Sequence, residues 1–209
     1  MARRETPKVL LFLAEGFEDL EAVTILDVCG WTEYRDHIPT VRVTTTGFHN
    51  EIRGRFGLVI GAEVPFSKVD PADYSALALP GGFHARGFDE AYDERLHHLA
   101  RPIHVQGGII ATFCIGILPV AEAGLLNGKR ATTYPHSRNH DNLRRLRELG
   151  AIVMNEPIVV DDRIISCQGP AQAFEVAFLL LENLIGAEEA AEVGRFMMYE
   201  QKPHSARKP

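Results

Sequence analysis

The chain has 209 residues, 45% of them hydrophobic, and a formal net charge of −6. That length and apolar content suit one domain with a sizeable core, and an acidic balance without a Lys/Arg cluster interleaved with aromatics argues against nucleic acid. No apolar run reaches the length of a membrane span, the basic Ala2-Arg3-Arg4 start is too short for a signal peptide, and three cysteines without a CxxC pair suggest neither a disulfide framework nor a zinc site. The expectation is a cytoplasmic protein with neither metal nor cofactor.

Lys8 to Ala14 carries a continuous apolar run and is predicted as a strand covered on both faces. A helix follows from Glu18 to about Gly30, with Glu18, Asp19 and Glu21 in its first turn, where carboxylates ordinarily serve as caps and complement the dipole. Val41 to Thr46 is a second strand, residues 48 to 66 a hairpin or short flanking strands, and Tyr74 to Leu79 a third strand ending in Pro80-Gly81-Gly82. That glycine pair lies at a strand's carboxyl end, where open α/β folds bind ligands, but neither GxxxxGK nor GxGxxG accompanies it, which argues against a nucleotide. A helix is predicted from Glu90 to Arg101, and Pro102 is expected to begin a second, shorter one.

Ile109 to Phe113 is the next buried strand, and Cys114 follows it directly, with a helix from Ile115 to Ala123. The thiol is thus predicted at a strand-to-helix turn. Free N–H groups and the helix dipole would there favour a thiolate, although an inert buried cysteine fits the same local pattern. Further on, Arg130 to Thr133 reads as a short strand, Asn139 to Leu149 as a solvated amphipathic helix, and residues 152–154, 158–160 and 164–167 as three short strands with a turn at Asp161-Asp162. Gly169-Pro170 open a strong helix from Ala171 to Leu184, with Phe174, Ala177, Phe178, Leu181 and Leu184 at helical spacing. Sustained alternation of strand and helix predicts an α/β fold: a doubly wound, mostly parallel sheet sandwiched by helices. Residues 1–200 are expected to form the single domain and 201–209 a frayed tail.

Five blocks, LFLAEGFEDLEA (11–22), ALPGG (78–82), ATFCIG (111–116), GLLNGKRATTYP (124–135) and SCQGPAQAFEVAFLLLE (166–182), together resemble the ThiJ/PfpI superfamily, a branch of the class I glutamine amidotransferase-like fold. The resemblance implies a flavodoxin-like domain with a nucleophile elbow. It implies Cys114 as the nucleophile and Glu21 as a protonated carboxyl group reaching the thiol, so that a raised Glu21 pKa and a depressed Cys114 pKa are coupled. It also implies an oxyanion hole from the Gly81-Gly82 turn and the Ile115 N–H, with either glycine as the donor. Two positions depart from the family. Tyr134 stands where the deglycase-type branch has a histidine, and Ile115 where the PfpI-type peptidases have one, so a hydrolytic Cys-His pair is missing at both places and peptidase or amidotransferase activity is not expected.

Other groups are candidates for the same pocket: Asp19, Phe17, Phe83, Phe113, His84, Tyr134 and His136, with a phenol being a poor general base. Cys167, ending the last strand, is either a core thiol or a partner for oxidised Cys114, while Cys29 reads as packing or a dimer face. The implied reaction needs no cofactor. Cys114 would add to a small electrophilic carbonyl such as methylglyoxal, Glu21 would move protons between C1 and C2, and hydrolysis would give lactate; on glycated adducts the same chemistry is deglycation. A redox-sensing or stress-protective role through Cys114 oxidation and an isonitrile hydratase-like activity are the alternatives. A homodimer is implied, and Val23, Leu26 and Trp31 are compatible with one.

Overall fold

The computed structural model describes residues 6–199, so the expected tail at 201–209 lies outside the described residues. The main sheet is built on β1 (Lys8–Phe12), which pairs in parallel with β2 (Arg42–Thr46) on one side and β5 (Ala76–Leu79) on the other. β6 (Ile109–Thr112) and β10 (Ile164–Cys167) continue the parallel sheet, and β9 (Ile158–Asp161) closes it antiparallel, giving the order β2-β1-β5-β6-β10-β9. The strand order reverses direction between β1 and β5, which in open α/β sheets marks the ligand crevice.

Side chains alternate across a strand, so each apolar run feeds two cores. Val9, Leu11 and Leu13 join one cluster, while Leu10, Phe12 and Ala14 join the other. The first cluster is covered by α1 (Asp19–Gly30), α5 (Ala173–Ile185) and α6 (Ala187–Phe196); the second by α2 (Glu94–Val105), α3 (Ile117–Glu122) and α4 (Asn142–Glu148). Fully burying one Leu or Ile side chain contributes about 1.5–3 kcal/mol, so these two layers, rather than helix propensity, hold elements as short as α3. β3 (Glu51–Arg53) and β4 (Val59–Gly61) form the expected hairpin, and β7 (Arg130–Ala131) pairs with β8 (Ile152–Val153) in a separate two-stranded sheet.

Several boundaries differ from the sequence expectation. Pro102 does not begin a new helix: α2 runs through it, because Leu99 and Ile103 on either side are buried and outweigh the one lost backbone bond. That helix also starts later, where the Asp93 carboxylate accepts the Arg95 N–H, after a 3₁₀ turn over Phe88–Tyr92. The helix after Cys114 begins as a 3₁₀ turn, Cys114–Gly116. Trp31 lies beyond α1 in another such turn. The β9–β10 turn is made by Asp162 and Arg163, both at positive φ as a tight two-residue hairpin requires, so Asp161 belongs to the strand. Phe174 is 38% exposed and stacks on Tyr199, whereas Ala173, Val176, Ala177, Leu180 and Leu181 face the core. The sequence reading missed α6, whose buried Ala190 and Val193 are flanked by Glu188, Glu189 and Glu192, which dilute the apolar signal.

Candidate active site

The carboxyl ends of β1, β5, β6 and β10 meet around Cys114. This residue follows β6 with φ of 51°, a left-handed conformation that is uncommon for a residue with a side chain and a mark of sites where the backbone must present a group sharply. Close neighbours hold it there. The Thr133 hydroxyl donates to the Cys114 carbonyl at 3.0 Å, and two glycines admit the turn: a Cβ on Gly81 would lie 2.6 Å from Cys114 Cβ, and one on Gly116 2.4 Å from the Leu79 carbonyl oxygen.

Glu21, on the first turn of α1, is completely buried. Its Oε2 accepts the Gly81 N–H at 2.7 Å, and its Oε1 has no hydrogen-bond partner. Burial, followed by the nearby Glu18 carboxylate, pushes the Glu21 carboxyl well above the usual range against the lowering effect of that one N–H. Burial thus favours the protonated form of Glu21, and the unpaired buried oxygen is where that proton would sit. Glu18 caps the helix, its Oε2 accepting the Glu21 N–H at 2.9 Å, and is itself raised, first by burial. The capping expected of the first-turn acids is thus real, and it also fixes the backbone that carries Glu21.

The Cys114 thiol is pushed well above its ordinary value, first by burial and then by Glu21, while the Ile115 N–H directed at the sulfur lowers it. This corrects the expectation of a depressed thiol: desolvation outweighs the contribution of a 3₁₀ turn and a short helix. Protonation of Glu21 removes the second of the raising causes. Gly81 is also corrected as an oxyanion donor, since its amide is spent on Glu21. Gly82 faces Phe17 in an antiparallel bridge whose hydrogen bonds are made by the flanking residues, Glu18 N–H to Gly81 O and Phe83 N–H to Gly16 O. The Gly82 N–H therefore points away from that bridge.

A cavity of about 440 Å³ opens onto the sulfur, lined by Glu18, Gly82, Cys114 and Ile115 at its base, by Phe56 and Phe83, and by Tyr134, His84, His136 and His140 among others. Of the pocket candidates, Phe83, His84, Tyr134 and His136 are present. Phe17 and Phe113 are not; both are fully buried core side chains. Asp19 is not among the lining residues either, because its two oxygens accept the Phe56 and Leu58 N–H groups at 2.9 and 2.8 Å and so anchor the β3–β4 loop. Sequence reasoning missed Glu18, Phe56, Arg138, His140 and Asn142 as lining residues. Asn142, which donates to the Tyr134 carbonyl at 2.9 Å, ties the Tyr134 loop to α4.

Cys167 is fully buried and donates to the Gly169 carbonyl at 3.5 Å. Burial holds it at about 12, and Cys29 likewise at about 12. Among the described residues no group of His, Cys, Asp or Glu has the arrangement of a metal site, and no helix is long and apolar enough to cross a membrane.

The sheet order and the strained cysteine between a strand and a helix define a flavodoxin-like α/β protein with a nucleophile elbow. The chain belongs to the DJ-1/PfpI family, whose match spans residues 7–183. It is 29% identical over 197 residues to the DJ-1alpha protein of Drosophila melanogaster, covering 93% of this chain and 85% of that one. It is 26% identical over 168 residues to a deglycase of Thermococcus kodakarensis, covering 80% and 93%. The crystal structure of Drosophila melanogaster DJ-1beta shares the fold with a TM-score of 0.79 at 23% identity, covering 94% of this chain and all of that one. Oxidised DJ-1 of Toxoplasma gondii superposes equally well, with a TM-score of 0.79 at 25% identity over 93% of this chain and 100% of the other.

Proposed function

We propose that the protein is a cofactor-independent, Cys114-dependent enzyme that converts a small electrophilic carbonyl, such as methylglyoxal to lactate, or deglycates the corresponding adducts. The observation that carries this reading is the pairing of Cys114, presented at φ of 51° at the base of an open cavity, with a fully buried Glu21 whose Oε1 has no partner. The thiol adds to the aldehyde carbon, and its proton ends on the new hydroxyl. The Ile115 and Gly82 N–H groups stabilise the developing oxyanion, and Glu21 donates a hydrogen bond to the sulfur or the oxyanion. Similarity to archaeal proteins named deglycases supports the class of reaction. Incubating the protein and its Cys114→Ser variant with methylglyoxal in metal-free buffer, and following lactate by NMR, tests the reading: lactate must form with the wild type and vanish in the variant.

One observation favours a second reading, oxidation sensing. Cys167 is among the groups that raise the Cys114 thiol, so a second thiol lies within electrostatic range of the first. Selective peroxide oxidation of Cys114 seen by mass spectrometry, without methylglyoxal turnover, would support it. The protein also acts as a homodimer in this proposal, through the exposed Leu20 and Val23 of α1 and the exposed Phe56, Leu58 and Val59 of the hairpin. Val23→Glu should then shift the sedimentation coefficient to that of a monomer.

A further inference from the structure

The conversion of a 2-oxoaldehyde to a 2-hydroxy acid requires a base to carry hydrogen from C1 to C2, and Glu21 is a poor candidate. It is fully buried, where desolvation disfavours its carboxylate form, and has one oxygen committed to the Gly81 N–H. Glu18 has an oxygen committed to the Glu21 N–H as the cap of α1. Across the cavity stands a group with the form of an oriented base. The Nδ1 of His84 meets the Asp89 carboxylate at 2.5 Å, which sets the tautomer with hydrogen on Nδ1 and leaves Nε2 as the acceptor. Tyr92 stacks on the ring at 5.9 Å and 18°, Phe88 meets it edge-on at 6.1 Å, and His140 packs against it at 4.3 Å. His84 and His140 line the same cavity as Cys114, and the His84 side chain is only 24% exposed.

We infer that His84, oriented by Asp89, is the catalytic base of this site, supplying the imidazole that is missing at positions 115 and 134. The inference rests on the carbonyl-converting reading above. After Cys114 has added to C1, Nε2 of His84 takes the C1 hydrogen as a proton, the C1–H electron pair becomes the C1–C2 double bond, and the C2 carbonyl pair moves onto its oxygen to give an enediolate. The same imidazolium returns the proton to C2, and the C1 hydroxyl collapses to the thioester carbonyl of a 2-hydroxy acid, releasing its proton to the C2 oxygen. Water then cleaves the thioester, giving the 2-hydroxy carboxylate, a proton and the free Cys114 thiol. No oxidant, reductant or metal enters the balance. Asp89 is a positioning residue, acting only through His84.

The test measures lactate formation from methylglyoxal by the wild type, His84→Ala, Asp89→Asn and Glu18→Gln, with iodoacetamide labelling of Cys114 as the check that the site is intact. His84→Gln replaces the alanine variant if labelling departs from the wild-type rate. His84→Ala should lose at least about 100-fold in kcat, and added imidazole, entering the space left by the ring, should restore about tenfold. Asp89→Asn should lower kcat about tenfold with KM unchanged and no response to imidazole. His84→Ala activity within about threefold of wild type, or a loss that imidazole leaves untouched, overturns the assignment while the carbonyl-converting reading stands. Loss in Glu18→Gln with His84→Ala still active overturns it in favour of Glu18. A wild type that makes no lactate overturns the functional reading itself, and the base with it.

Discussion

Glu21→Gln isolates the protonation that the candidate site depends on. In the folded protein burial, reinforced by Glu18, keeps a proton on this fully buried carboxyl, whereas the unfolded chain releases it near pH 4.3. The folded state therefore binds more protons above that pH, and stability falls as pH rises. The contribution is complete below about pH 4.3 and drains toward the folded value at about 1.4 kcal/mol per pH unit. The variant's amide keeps an acceptor for the Gly81 N–H and a donor in place of the acidic proton, and it does not titrate. The other acids facing the carboxyl, Glu18, Cys114 and Cys167, remain in both proteins, so their contributions largely cancel in the difference. From about pH 4.3 upward, until the folded carboxyl itself titrates, the unfolding free energy of the variant should rise relative to wild type by about 1.4 kcal/mol per pH unit. Urea unfolding of both proteins at fixed ionic strength across that range measures it. Parallel stability–pH curves would refute the reasoning, because they would mean that Glu21 ionises in the folded state as readily as in the unfolded chain.

Gly81→Ala places a methyl 2.6 Å from Cys114 Cβ and 3.1 Å from the Ile115 nitrogen; the elbow must move, costing about 1–3 kcal/mol in urea unfolding and changing the rate of Cys114 alkylation. Asp19→Ala frees the Phe56 and Leu58 amides. Hydrogen exchange at both should accelerate, and because Phe56 lines the cavity, KM for the carbonyl should rise with little change in kcat. Cys167→Ala removes a fully buried core side chain and its hydrogen bond to the Gly169 carbonyl, so a loss of about 1–3 kcal/mol in stability is expected with methylglyoxal conversion retained. Abolished conversion at undiminished stability would show that Cys167 does more than pack.

The central strands were legible because they are buried on both faces and carry runs that are wholly or almost wholly apolar, as in Val9 to Leu13 and, with Thr112 the one exception, Ile109 to Phe113. The cysteine turn was legible from the abrupt change after Phe113. Helix limits were less so. Pro102 looks like a start signal in one dimension, and only the packing of Leu99 and Ile103 shows that the helix continues. The glutamates of α6 hid a buried edge for the same reason: which side of a short helix is covered depends on what it meets.

For the site, the sequence determined which residues stand at the carboxyl ends of the strands, since strand alternation and glycine turns are local properties. Cys114 and the Gly81-Gly82 turn follow from that, whereas Glu21, on a helix and locally indistinguishable from a capping acid, was pointed out by the family resemblance. Tertiary structure decided what each of them does. Gly81 binds Glu21 rather than facing the cavity, Asp19 reaches the hairpin, and Phe17 enters the core. These outcomes turn on a few ångströms between segments distant in the chain, as with Glu21 and Gly81, 60 positions apart. The direction of the thiol's pKa was decided in the same way. A helix start is visible in the sequence, but the desolvation that outweighs it exists only once the chain has closed around the sulfur.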